Sequence, residues 1–138
     1  MLQGVHVLEQ PARIHSVRAH MHLRGKSQML EALYPDGRRE ILSKINFQHA
    51  WHTTHLYEDY VQPLLPKGTM LIATSWFDNT ADNPNNPDPE QWVTFGKRTV
   101  DDMSHIWVGI TYLDEESFQR LAAERERARL RVAEVAGR

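Results

Sequence analysis

A chain of 138 residues has the length of one domain and can bury one sizeable core. With 41% hydrophobic and 25% charged residues it has a folded, globular composition, and a formal charge of −2 gives no footing for nucleic acid or an anionic membrane surface. The absence of cysteine excludes disulfides and thiolate metal sites, so any metal must rest on His, Met, Asp or Glu.

Residues 1–12, ending in Gln10-Pro11, read as an irregular lead-in without a leader pattern. No apolar run reaches the length of a membrane span, so no membrane insertion is expected. Either a cytoplasmic chain or a piece of a longer one follows from this. Alternation then predicts strands over residues 14–23 and 28–33. Tyr34-Pro35-Asp36-Gly37 is a tight-turn signal, and 40–47 is the returning strand. A strand is predicted over 51–57, then a turn at Leu65-Pro66-Lys67-Gly68 and a nearly continuous apolar strand over 69–77. Residues 78–90, rich in Asn, Asp and Pro, form a loop. The last two predicted strands cover 91–95 and 105–113.

Seven or eight short strands separated by turns predict an all-β fold, a jelly-roll-like antiparallel β-sandwich. From Asp114 the pattern changes. Asp114, Glu115 and Glu116 place acid at a helix start, and Phe118, Leu121, Ala122, Ala128, Val132 and Val135 recur at helical spacing. The predicted organisation is a sandwich domain over 1–113 and a C-terminal amphipathic α-helix within 114–138, running from 115 to 135 and ending at Gly137. Such a helix can pack on the sandwich, pair with a copy of itself, lead into a further domain, or stand solvated.

Eight histidines direct attention to a metal. On a strand through Arg18-Ala19-His20-Met21-His22, Val17, Ala19, Met21 and Leu23 share the apolar face, while Arg18, His20, His22 and Arg24 share the other. Two imidazoles at i and i+2 can reach one ion, and imidazole suits zinc, copper, iron and nickel. Two surface histidines on an alternating strand give the same pattern. Before the last strand, Met103, His105 and Trp107 lie on the parity opposite to Ile106, Val108 and Ile110. A Met103 thioether would favour copper, although a methionine at a strand start more often packs. In strand geometry His49 and His55 share one face and His52 the other, which makes a poor three-ligand site. His15 has the parity of the apolar face and is expected to be buried, and His6 has no evident partner. The oxygen donors of 78–88 could attract calcium, but without EF-hand spacing they read as turn formers. No phosphate loop, nucleophile elbow or HExxH motif is present.

Arg18-x-His20-x-His22, followed by Leu23 and Gly25-Lys26, with Asp102-Met103 before the final strand, resembles the C-terminal domain of the type II, ascorbate-dependent copper monooxygenases. The group includes the peptidylglycine α-hydroxylating and dopamine β-monooxygenases. Bacterial relatives share Tyr34-Pro35-Asp36-Gly37, Leu65-Pro66-Lys67-Gly68-Thr69, Phe77-Asp78-Asn79 and Asn86-Pro87-Asp88-Pro89, so the resemblance runs over residues 14–113. It implies a jelly-roll-like sandwich holding one copper ion through His20, His22 and Met103, at which dioxygen is activated for C–H hydroxylation. It further implies an ascorbate-like reductant, an electron-donor domain or protein, a small organic substrate and a periplasmic or other extracytoplasmic setting within a larger chain. Arg18 or His105 could orient an anionic substrate or support the metal from behind. Complete enzymes carry a second copper on three histidines in a preceding domain, and His49, His52 and His55 do not match it. Where peptide-amidating members have polar residues after the methionine, this chain has His105 and Trp107. The same fold also permits a non-catalytic copper-binding or protein-interaction module.

Overall fold

The computed structural model describes residues 1–136, with side chains through 133. Eight strands form two antiparallel sheets, followed by one helix. The strands are β1 (Leu2–Val7), β2 (Ala12–Met21), β3 (Gly25–Leu33), β4 (Arg39–Asn46), β5 (Thr54–Leu56), β6 (Leu64–Leu65), β7 (Met70–Phe77) and β8 (Ser104–Tyr112), and the helix is α1 (Glu115–Ala136). One sheet has the order β1-β7-β3-β4. In the other, β2 pairs with β8 along its whole length, and its opposite edge pairs with β6 at Ala12–Arg13 and with β5 at Ser16–Arg18. This is the all-β sandwich with a C-terminal helix that the alternation predicts.

The core lies between the sheets. Ala12, Ile14, Val17, Ala19 and Met21 of β2 face Leu30 and Ala32 of β3 and Leu71 of β7, with Ile106, Val108 and Ile110 of β8 packed at the margin. The glycines of the two predicted turns, Gly37 (φ +85°) and Gly68 (φ +84°), take the left-handed conformation those turns require. Gly25 opens β3 for a different reason. A Cβ there would overlap that of the buried Met21 and lie 2.9 Å from its sulfur and 3.0 Å from the Phe47 ring. Gly25→Ala is therefore expected to cost about 2 kcal/mol in urea unfolding. An unchanged midpoint would show that the turn has room to spare.

The structure corrects several local expectations. Residues 2–7 are not a lead-in but the edge strand β1, paired with β7 from Leu2↔Ser75 to Val7↔Met70. Every residue of β1 is exposed, so it lacks the buried alternation by which strands are recognised. Residues 91–95 form no strand. Only Phe95 makes an isolated bridge, to Asp102, and Trp92 is 96% exposed. The strand predicted over 51–57 shrinks to Thr54–Leu56, and Leu64–Leu65 adds a two-residue strand ahead of the turn. His15 is not buried on the core face. The β2–β8 register shifts between Ile14 and Ser16, making His15 the extra residue of a bulge, and its Nε2 lies 2.6 Å from the Thr111 hydroxyl.

Asp114 caps α1, its carboxylate accepting from the Ser117 N–H at 2.6 Å. Phe118 sits beside Tyr34, Pro35 and Pro66, and Arg125 donates to the Gln62 carbonyl at 2.5 Å, so the first turns lean on the sandwich. Leu130 and Val132 further along are exposed. The expected stop at Gly137 lies outside the described residues. The helix is not long and apolar enough to cross a membrane.

Candidate metal centre

The outer face of the β2–β8 pair gathers the chemistry-bearing side chains. Register sets Arg18 opposite Trp107 and His20 opposite His105. The last pair is Met21↔Ser104, and His22 and Met103 are the residues next to it, one past the end of β2 and one ahead of β8. Two segments far apart in sequence are thereby joined at one corner of the sheet. His20 is the hub, with ring centroids 5.5 Å from His22, 5.1 Å from His52, 6.1 Å from His105 and 5.2 Å from Trp107. The Arg18 guanidinium lies over the Trp107 ring at 5.3 Å, forming an exposed cationic–aromatic patch beside the imidazoles.

The backbone beneath His20 is also held. Its N–H donates to the carboxamide oxygen of the fully buried Gln28 at 3.1 Å. The Gln28 amide donates in turn to Ser75 at 3.0 Å and Ser104 at 2.7 Å, and these two hydroxyls contact each other. One side chain of β3 therefore ties β2, β7 and β8 together below the histidine pair.

His22 follows the end of β2 and, although off the core face, is only 8% exposed. The loop between β7 and β8 covers it. His22 Nδ1 lies 3.0 Å from the Asp101 carbonyl. A carbonyl only accepts, so Nδ1 carries a proton, and in the neutral ring the lone pair then lies on Nε2, the tautomer that a metal ligand needs. The Arg98 guanidinium grips the Asp101 carboxylate at 2.7 Å and holds it below the usual carboxylate range. Arg24, 1% exposed, is the second anchor of this loop, donating from Nε to Asn86 at 2.7 Å and from Nη1 to the Val100 carbonyl at 2.6 Å. The Asx residues satisfy the loop itself. Asn83 donates to the Asp78 carbonyl at 2.8 Å, and Asn86 donates to that of Asn79 at 3.0 Å.

Burial lowers the His20 pKa, and the imidazoles of His52, His22 and His105 and the Arg18 guanidinium lower it further. His20 is therefore neutral at neutral pH and can offer a lone pair. Met103 is half-buried at the start of β8, and His105 is exposed. Among the described residues, no three His, Asp or Glu side chains converge on one point as they stand.

The structure also brings in residues that strand parity hides. His52 does not belong to a strand, because Trp51 N–H to Gln48 O (3.0 Å) and Thr53 N–H to Trp51 O (3.1 Å) curl this segment. Alternation therefore does not govern it, and His52 turns toward His20, with Nδ1 to Nδ1 at 3.4 Å. The His49 ring lies 6.2 Å from that of His52, with a buried Nδ1 that has no partner among the described residues, whereas His55 is exposed on β5 and His6 on β1. Nothing local in the sequence marks Arg24 or Asp101, whose roles depend on a loop that returns some 60 to 80 residues later. In comparisons with known proteins, no protein-family model, no curated protein and no solved structure matches the chain.

Proposed function

We propose that the chain is a mononuclear copper-binding domain of the kind that activates dioxygen in copper monooxygenases, with His20, His22 and Met103 as metal donors. The observation that carries the reading is the His22 tautomer. Its Nδ1 proton is committed to the Asp101 carbonyl, which leaves Nε2 as the nitrogen that a neutral ring can offer to a metal. The donor chemistry fits a copper ion. Imidazole nitrogens accept either oxidation state, and the Met103 thioether favours the reduced one. Bound copper would supply one-electron chemistry toward dioxygen, drawing on an ascorbate-like reductant or an electron-donor domain or protein. The chain's own residues provide the setting. Arg18 on Trp107 offers a cationic, planar surface for a small organic anion, and exposed His105 stands next to it. An extracytoplasmic setting belongs to the same proposal.

A second reading, a copper-holding module without turnover, draws support from the crowding of His20 by His52, since turnover requires an open position at the metal. Copper titration of the apo-protein, followed by oxygen-electrode measurements with ascorbate, separates the two. The leading reading expects one copper per chain and reductant-dependent oxygen uptake above that of free copper. One copper without uptake selects the module, and no stoichiometric copper overturns both.

A further inference from the structure

We propose that His52 is a third imidazole donor to the metal held by His20, His22 and Met103, an inference that rests on the copper-binding reading above and selects its form without turnover, since four protein donors leave a tetrahedral ion no open position. The two Nδ1 atoms of His20 and His52 are 3.4 Å apart, with the rings inclined at 68°. That separation is long for an N–H···N hydrogen bond. It equals what one ion imposes on two ligands, because nitrogens about 2.0–2.1 Å from a tetrahedral ion lie about 3.3–3.4 Å apart.

The position of His52 is built rather than incidental. The Phe47 ring is packed 5.3 Å from the His52 ring, on a backbone anchored by Phe47 N–H to the Lys26 carbonyl at 2.9 Å. His52 is half-buried between Phe47 and His20. No carboxylate or carbonyl takes its nitrogens among the described hydrogen bonds. The segment from 47 to 53 thus presents an imidazole to His20 from the side of β2 opposite β8. A donor set of three imidazoles and a thioether comes from three separate parts of the chain.

The test compares wild type, His52→Ala and His52→Gln, each loaded with one equivalent of copper. X-ray absorption on the copper edge counts imidazoles, nitrogen hyperfine structure in the Cu(II) spectrum checks the count, and a competing chelator reads affinity. Three imidazoles in wild type and two in both variants are expected, with affinity lower by at least about tenfold. Unchanged count and affinity in a variant that still takes up one copper would overturn the role of His52 and leave the copper reading standing. Failure of wild type to take up copper would overturn the copper reading itself. Thermal melting identifies a misfolded variant, and the glutamine, close in size to histidine, keeps the test open if the alanine unfolds.

Discussion

Replacing His20 and His22 together by alanine is expected to abolish stoichiometric copper uptake while leaving the sandwich folded. His20 is on the outer face, so its removal opens no cavity between the sheets. His22 is more buried, and its loss forfeits the bond to the Asp101 carbonyl, worth about 1 kcal/mol. The backbone N–H of residue 20 still has Gln28 to receive it. Against that small structural cost, two of the proposed donors disappear, and loss of a supporting residue alone typically weakens metal binding by about 10–100-fold. Isothermal titration with copper, paired with circular dichroism, reads both effects. A folded double variant that still takes up one tightly held copper would rule out this histidine pair as the site.

The second large effect is expected at Arg24. Arg24→Ala should cost about 3 kcal/mol, because two hydrogen bonds from a charged donor are lost and a side chain only 1% exposed is removed from its packing. Arg24→Lys should recover only part, since a single ammonium cannot reproduce a guanidinium fork aimed at two oxygens. The consequence reaches the proposed metal centre. Val100, whose carbonyl Arg24 holds, directly precedes Asp101, whose carbonyl holds His22. Urea unfolding gives the stability, limited proteolysis of the 78–103 loop shows whether it has come free, and copper affinity should fall about 10–100-fold. A variant within about 0.5 kcal/mol of wild type, with its loop still resistant, would show that the Asx turns hold this segment without Arg24.

What was legible in the sequence follows from where the physics is local. β2, β3 and β8 announce themselves because their alternation is imposed by a core on one side, and β7 announces itself by a nearly continuous apolar run. That alternation also placed His20 with His22, and Met103 with His105, off the core. The antiparallel register of β2 on β8 then sets the two sets side by side. β1 was not legible because an edge strand with no buried residue has nothing to alternate against. Residues 91–95 misled in the other direction, a strand being predicted where Trp92 and Phe95 stand exposed on a loop. His52 was visible as part of a cluster, but a strand was assumed across it, and strand parity only set it apart from His49 and His55. The burial of Arg24 and of His22 depends on a long loop folding back, which no periodicity encodes.

The bulge at His15 bears on how tolerant this corner is of change elsewhere. β2 carries two phases of alternation, with Ile14 inward on one side of the bulge and Val17, Ala19 and Met21 inward on the other. The phase that orients His20 is therefore set downstream of Ser16, by β8 from Gly109 to Ser104 and by Gln28 below. The half of the strand that meets β6 follows its own count. The histidine corner therefore has its own register, and a one-residue slip confined to residues 12–14 would displace Ala12 and Ile14 from the core without by itself rotating the imidazoles inward.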